Sequence, residues 1–294
     1  MAFLIMKVFA EADRDDFAIL RIVNALKKYA PKRVKFVESE SDADLVILYV
    51  YGFRRHTRYH TERLLKSGKK YAIVQLCLRS TPNPVTTDWN EIWESAQVVW
   101  SYYDLKKLCQ EDHNQVKFNF YYAPLGVDAK IFKETPVRHK FLIASTGSGN
   151  RYSRECKYEV IEAADELAKN VFQLGFGGRG HRIAYSNGMS DELLAGYYSS
   201  CDFVSGLHRI EGFEFPVLEG LLCGARPICF DLPCYRAWFD GIAEFIPDDF
   251  NIVENLYKLF IKGPRPVTEK EKAIVKKCFN WQKICKGFWS KALL

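Results

Sequence analysis

Short apolar runs rich in β-branched residues alternate with segments of helical periodicity along almost all of this 294-residue chain. This alternation restricts the fold more than any other feature of the sequence. Residues 45–50 form one such run, and residues 15–29 place apolar side chains at helical spacing, at Phe17, Leu20, Val23 and Leu26. Strand-length runs with no polar face are typical of parallel strands buried between helices. The sequence therefore predicts an α/β fold with doubly wound parallel sheets.

A polar, proline-containing segment at residues 133–138 interrupts this alternation, and a new apolar run begins at residue 140. We therefore predict an N-terminal domain over residues 1–134, a second domain over residues 135–278, and a closing helix over residues 279–294. A hydrophobic content of 48% is sufficient for two cores of ordinary size.

The segment at residues 211–231 places two carboxylates, Glu211 and Glu219, around a turn and the start of a helix. The turn precedes Pro216, whose fixed φ suits the first helical position, so backbone N–H groups at a helix N-terminus are expected to point toward a ligand. Such a turn binds phosphate or sugar oxygens, and each carboxylate can accept hydrogen bonds from a pair of hydroxyls.

Residues 211–231 read EGFEFPVLEGLLCGARPICFD and resemble the E-x7-E signature of the retaining glycosyltransferases of family 4. Three further segments are similar to landmarks of that family in the same order, at residues 122–132, 189–202 and 279–284. Together they extend the resemblance from about residue 95 to the C-terminus. The resemblance implies a GT-B fold, in which two Rossmann-like doubly wound domains face a central cleft and the closing helix crosses back to the first domain.

The resemblance also implies a chemistry, namely transfer of a sugar from a nucleoside-diphosphate sugar to a hydroxyl with the anomeric configuration kept. The leaving diphosphate takes the acceptor proton on the same face, and neither a metal nor another cofactor is required. In this scheme Glu211 is catalytic and holds the reacting sugar, helped by the backbone amides of Phe213, Glu214 and Phe215. Glu219 binds the ribose of the donor.

The resemblance places the donor diphosphate at the turn after the strand that begins near residue 140. Small residues allow close approach of the backbone there, and cations supply charge, so the predicted ligands are Gly147, Ser148, Arg151, Arg154 and Lys157. The family has an arginine at the strand end, whereas the cations of this chain come later. Tyr185 follows a glycine-rich loop and is expected near the nucleobase.

Two positions depart from the pattern of the family. Glu214 replaces a glycine, and a side chain there is expected to restrict or select the donor sugar. Cys77 or Leu78 occupies the place of a first-domain histidine. This leaves His56 and His60 as the candidate catalytic histidines, alongside an activity that uses no histidine.

A basic, aromatic segment follows the strand at residues 45–50, where open α/β sheets bind ligands. Residues 51–70 contain seven basic side chains and one acid. The candidate acceptor ligands are Arg54, Arg55, Arg58, Tyr59 and Arg63. Basic residues interleaved with aromatics suit phosphates and exposed bases, so a hydroxymethylated base in DNA is the favoured acceptor. Lipid, polysaccharide and protein acceptors, a merely solvated helix, and a catalytically inactive nucleic-acid-binding relative remain as alternatives.

The nine cysteines include no C-x-x-C pair, which favours free thiols in a reducing cytoplasm, or in the cytoplasm of a host if the protein is viral. No stretch approaches the roughly 20 apolar residues of a membrane span. We therefore predict a cytoplasmic enzyme with no membrane span.

Overall fold

The computed structural model describes residues 5–10, 17–50, 54–78, 89–138, 140–147, 155–175, 183–186, 189–209 and 212–294. The chain divides into two compact units. Unit 1 contains Met1–Gly126 together with Trp281–Leu294, and unit 2 contains Val127–Asn280.

The described part of unit 1 contains a six-stranded parallel sheet, sheet 1, with the order β2-β1-β3-β4-β5-β6. Its strands are β1 (Met6–Ala10), β2 (Val34–Phe36), β3 (Leu45–Val50), β4 (Lys70–Gln75), β5 (Val99–Ser101) and β6 (Phe120–Tyr122). Every residue of β3 is buried, because β3 lies between two neighbouring strands and beneath helices.

Helices α1 (Phe17–Lys28), α2 (Arg54–Ser67), α3 (Asn90–Ser95) and α4 (Leu105–Glu111) connect these strands, and α11 (Trp281–Ala292) ends the chain. Helix α1 buries Val23 and Leu26 of the predicted apolar face, whereas Leu20 is half-buried; it also buries Ile19 and Ile22, which the predicted spacing did not include. Helix α4 begins after Asp104, whose carboxylate accepts a hydrogen bond from the backbone N–H of Lys107 at 3.1 Å.

Helix α11 completes the core of unit 1. The indole of Trp289 donates to the carbonyl of Leu26 at 3.3 Å, and the hydroxyl of Tyr121 donates to the carbonyl of Ile284 at 2.9 Å. A Cβ at Gly287 would collide with the ring of Tyr121, so only glycine permits this close approach. The last helix of the chain is therefore a packed element of the unit in which the chain begins.

The described part of unit 2 contains a second six-stranded parallel sheet, sheet 2, with the order β12-β11-β10-β7-β8-β9. Its strands are β7 (Phe141–Gly147), β8 (Val171–Gly175), β9 (Ile183–Ser186), β10 (Cys201–Gly206), β11 (Arg226–Phe230) and β12 (Glu244–Ile246). After β9 the chain returns to the opposite side of β7 and continues with β10. The point at which the strand order reverses therefore lies between β7 and β10.

The helices of unit 2 are α5 (Lys157–Glu166), α6 (Asp191–Ser199), α7 (Phe215–Leu222), α8 (Pro233–Phe239), α9 (Ile252–Lys262) and α10 (Glu269–Cys278). Helix α7 packs closely on β10, because Gly206 and Gly220 leave room at the contact. A Cβ at Gly206 would lie 2.5 Å from a methyl of Val217, and one at Gly220 would collide with Val204.

Two parallel sheets of doubly wound order confirm the predicted α/β class with two Rossmann-like domains. The edge at which the strands of a sheet end is called its carboxyl edge, and the opposite edge is its amino edge. At the amino edge of sheet 2, the guanidinium of Arg226 and the carboxylate of Glu271 form a buried ion pair at 2.8 Å.

Candidate functional site

The carboxyl edge of sheet 2 brings together the two turns that the sequence predicts to bind a donor. Strand β7 ends at Gly147 and the neighbouring strand β10 ends at Gly206, on either side of the point where the strand order reverses. Open α/β sheets bind ligands outside this edge, in the crevice that the reversal creates. The residues between β10 and α7 are called the β10–α7 turn, of which 207–209 and 212–214 are described.

Helix α7 begins one residue earlier than the proline rule predicts. Glu214 has extended backbone angles and is the N-cap residue, so Phe215 is the first helical residue and Pro216 follows it. The side chain of Glu214 makes no capping hydrogen bond to the helix. The positive end of the α7 dipole nevertheless lies at the end of the turn that contains Glu211.

The two signature carboxylates differ in what the structure describes. Glu211 lies outside the described residues, so its catalytic role stays a prediction. Glu219 lies in α7 and is only 2% exposed. Burial first, and also the charge of Glu219, raise the pKa of the Cys223 thiol to about 12, which places this carboxylate beside the buried sulfur. Its binding of a ribose stays a prediction.

The side chain of Glu214 is directed into unit 2 and is 3% exposed. Its Oε1 atom accepts a hydrogen bond from the hydroxyl of Tyr235 at 3.2 Å and lies 2.7 Å from Nδ1 of His208. The Tyr235 hydroxyl also lies 2.8 Å from the carbonyl oxygen of His208, a second acceptor. The carboxylate is thus enclosed by protein, and the selection of the donor sugar by Glu214 stays a prediction.

The aromatic residues that flank Glu214 contribute to the core. The ring of Phe213 is 4% exposed and packs against Phe215, Phe239 and Phe279, with ring centroids 5.1 to 6.3 Å apart. These contacts hold the β10–α7 turn against α8 and the end of α10. The predicted donor contacts of Phe213 and Phe215 are made by backbone amides, and they stay predictions.

The turn after β7 is only partly described. Ser148, Arg151 and Arg154 lie outside the described residues. Lys157 is the first residue of α5 and is 2% exposed, with its Nζ atom 5.2 Å from the centroid of the Tyr158 ring. The contact of Lys157 with the donor diphosphate stays a prediction. Tyr185 lies in β9, and its side chain is outside the described residues.

An arginine that the sequence analysis did not select lies beside this edge. The Nε atom of Arg209 donates to Asp248 at 2.8 Å, and its Nη2 atom donates to Glu159, in the first turn of α5, at 3.4 Å. Burial lowers the pKa of Arg209, but the hydrogen bond and charge of Asp248 raise that pKa by more. The guanidinium therefore stays charged. Arg209 therefore links the end of β10 to α5 and to the segment after β12.

The basic segment of unit 1 is helix α2. The side chains of Arg54, Arg55, His56 and Arg58 lie outside the described residues. Tyr59 is 65% exposed, and its ring centroid lies 5.8 Å from that of the half-buried His60. An exposed tyrosine in a basic helix suits stacking on a base.

Arg63 has a partner that the sequence did not indicate. Its two terminal nitrogens donate to the two carboxylate oxygens of Glu40 at 2.8 and 2.6 Å. These hydrogen bonds are the main reason that the pKa of Glu40 is lowered. The guanidinium therefore has a structural role in unit 1, and its contact with an acceptor stays a prediction.

No protein-family model matches this sequence, and neither does any curated protein. The structure is similar to that of Anabaena HepE in complex with UDP-glucose, with a TM-score of 0.70 and 13% identity over 98% of this chain and 99% of that chain. It is also similar to sucrose-phosphate synthase from Thermosynechococcus elongatus, with a TM-score of 0.64 and 16% identity over 95% and 79% of the two chains.

A third similar structure is α,α-trehalose 6-phosphate synthase from Burkholderia multivorans, with a TM-score of 0.62 and 13% identity. That alignment covers 96% of this chain and 76% of the other. All three alignments extend over both units. The chain has the GT-B fold.

Within this GT-B fold, sequence reasoning missed three residues of the carboxyl edge of sheet 2: His208, Arg209 and Tyr235. His208 and Arg209 follow an apolar strand and come just before Glu211 in the sequence, and this position could have indicated that they lie at the candidate site. Tyr235 lies 27 residues from the backbone carbonyl to which it donates, so no local pattern could indicate the contact.

The described part of this GT-B chain shows neither a candidate metal site nor a candidate membrane span. Its His, Cys, Asp and Glu side chains form no group of three or more suited to a metal ion. None of its helices has both the length and the apolar character required to cross a bilayer.

Proposed function

We propose that this chain is a retaining glycosyltransferase that moves a sugar from a nucleoside-diphosphate sugar to a hydroxyl acceptor. The observation that carries the proposal is the similarity of nearly the whole chain to a structure that binds UDP-glucose. The E-x7-E segment supports it, because Glu219 and the start of α7 lie directly after β10, beside the strand reversal.

Different residues of unit 2 bind the diphosphate, the sugar and the ribose of the donor. The N-terminus of α5, with Lys157, stabilises the negative charge that develops on the leaving diphosphate. The amides at the start of α7 and the carboxylate of Glu211 orient the donor sugar. Glu219 holds the ribose. The acceptor attacks from the face that the diphosphate leaves, and the diphosphate oxygen takes its proton.

Donor binding is tested by the thermal stability of the protein in a panel of nucleoside diphosphates and their sugars. A ligand at 100 times its dissociation constant adds about 2.7 kcal/mol to the free energy of unfolding. We expect UDP or a UDP-sugar to stabilise the protein. A panel in which no nucleotide raises the melting temperature would contradict the proposal.

The site assignment is tested by two variants of the signature. Glu219→Ala is expected to raise KM for the donor, because a ribose contact is the same in the ground and transition states. Glu211→Ala is expected mainly to lower kcat, because it contacts the reacting sugar. Proton NMR of the first product should show the anomeric configuration of the donor, and EDTA should leave activity intact. An inverted product would contradict the retaining mechanism.

A nucleic-acid acceptor is a second, finer proposal, and the exposed Tyr59 of the basic helix α2 favours it. Binding to duplex DNA should weaken with salt by a slope of about −0.9 per neutralised phosphate. Replacing Arg54 and Arg55 with alanine should reduce that slope by up to about two. Arg63→Ala should reduce the slope less than replacement of Arg54 or Arg55, because the Arg63 guanidinium is already paired with Glu40. A protein that does not bind DNA at low salt would leave a lipid or glycan as the acceptor.

A further inference from the structure

The β10–α7 turn contains a buried polar cluster to which the proposed reaction assigns no role. It consists of His208, Glu214 and Tyr235, whose side chains are almost completely enclosed, with only 12% of the His208 side chain exposed. Glu214 Oε1 lies 2.7 Å from His208 Nδ1 and 3.2 Å from the Tyr235 hydroxyl. We name these three residues the His208–Glu214–Tyr235 cluster.

The cluster joins both ends of the turn that contains Glu211. His208 lies three residues before Glu211 and Glu214 lies three residues after it. The Tyr235 hydroxyl, which comes from α8, is within hydrogen-bonding distance of both ends, at the carbonyl of His208 and the carboxylate of Glu214. The side chain of Tyr235 therefore connects the two described ends of the turn.

A buried carboxylate is costly unless it has partners, so Glu214 constrains its surroundings. Other titratable groups face it from neighbouring elements, namely Cys229 of β11 and Cys234 of α8. Burial raises the pKa of both thiols, and the charge of Glu214 raises each of them further, so these thiols stay protonated. The cluster thus provides one carboxylate, with His208 and the Tyr235 hydroxyl to stabilise it.

We propose that Glu214 is a positioning residue, which through His208 and Tyr235 fixes the described ends of the β10–α7 turn and thereby holds the backbone amides at the start of α7 against the donor sugar. This inference rests on the proposed function. The family signature has glycine at position 214, so the contacts of the His208–Glu214–Tyr235 cluster are specific to this chain. Because Glu214 is enclosed, it acts through the turn and not by contact with the sugar.

The test compares kcat and KM for release of UDP from UDP-glucose, or from the nucleotide sugar that the thermal panel selects. Glu214→Ala removes the carboxylate of the His208–Glu214–Tyr235 cluster. We expect kcat to fall about 100-fold with a small change in KM, because displacement of a catalytic group by about 1 Å has an effect of this size. Tyr235→Phe keeps the ring and removes the hydroxyl, with an expected fall of about 10-fold. Glu214→Gln keeps an acceptor oxygen for Tyr235 and should restore most of the activity lost in Glu214→Ala.

Glu271→Gln is the matched control, because Glu271 is an equally buried acid of unit 2 at the opposite edge of the sheet. It should lower the melting temperature and leave kcat unchanged at a temperature where the protein is folded. If Glu214→Ala does not fold, the kcat of Tyr235→Phe decides the question. Folded Glu214→Ala or Tyr235→Phe proteins that have a lower melting temperature but keep the wild-type kcat would overturn the inference alone. A wild-type protein that releases UDP from no sugar donor would overturn the proposed function and this inference with it.

Discussion

Two of the buried carboxylates in the described part of unit 2 have different surroundings, namely Glu271 at the amino edge of sheet 2 and Glu214 at the carboxyl edge. Glu271 accepts two hydrogen bonds from Arg226 and two from Thr268, and Arg265 lies 3.0 Å away. The remaining donors of Arg226 bind three backbone carbonyls, at Ile242, Arg265 and Pro266.

Among the described residues, the hydroxyl of Tyr235 and the imidazole of His208 lie close to the Oε1 atom of Glu214. The hydrogen-bonded ion network at the amino edge is therefore more extensive than the polar cluster at the carboxyl edge. Variants at the two edges should therefore separate stability from activity.

The largest effect is expected from Arg226→Ala. Removing one partner of a buried ion pair leaves an uncompensated charge, so the free energy of unfolding should fall by about 3 to 5 kcal/mol. Urea denaturation measures this loss. Arg236→Ala is the matched control, because its pair with Asp231 is about half exposed to solvent and its loss should destabilise the protein much less. Equal losses in the two variants would contradict the ranking.

The second effect is the response of the amino edge to acid. Burial raises the pKa of Glu271, but hydrogen bonds from Arg226 and Thr268 lower it further, to about 2 from an ordinary 4.5. Because the folded pKa is the lower one, the stabilisation is complete above about pH 4.5 and is lost as pH falls toward 2, with a total of about 3 kcal/mol. The stability difference between wild type and Glu271→Gln should therefore shrink between pH 6 and pH 3. A stability difference that stays constant between pH 6 and pH 3 would mean that ionisation of Glu271 does not determine it.

The third effect disturbs the carboxyl edge by packing instead of charge. Gly220→Ala places a methyl group against Val204, and over-packing of this kind costs about 1 to 3 kcal/mol. We expect a lower melting temperature and, since α7 moves from β10, weaker donor binding. Gly196→Ala is the control, because a Cβ there meets no atom within 4 Å among the described residues. It should have no destabilising effect.

The smallest effect on stability is expected from Arg209→Ala. Its ion pairs with Asp248 and Glu159 are partly exposed, so their loss should cost about 1 kcal/mol or less. Donor binding should fall more than stability, because Arg209 orients the first turn of α5. Thermal melts with and without UDP measure both quantities. An unchanged shift by UDP would assign Arg209 to stability alone.

Local sequence patterns predicted most of the fold. The apolar run at residues 45–50 corresponds to β3, and the run that begins at residue 140 corresponds to β7 (Phe141–Gly147). Such strands are predictable because burial between helices requires continuous apolar residues. Helix α7 was predicted one residue late, since Pro216 is tolerated anywhere in the first turn and does not fix the first residue.

The contacts of the site side chains could not be predicted in this way, because their partners are distant in the sequence. Arg63 lies 23 residues from Glu40, and Glu214 lies 21 residues from Tyr235. The sequence marked Glu214 as unusual, yet whether its carboxylate turns toward a sugar or into the protein depends on the position of α8. Periodicity contains no information on such tertiary contacts.

The two ends of unit 2 meet. Val127 pairs with Asn280 in an isolated parallel bridge, and the backbone N–H of Val127 donates to the carbonyl of Phe279 at 2.9 Å. Residues 127–280 therefore form a segment whose two ends are adjacent in space. Joining these ends with a short linker and opening a surface loop would therefore give a circular permutant of unit 2.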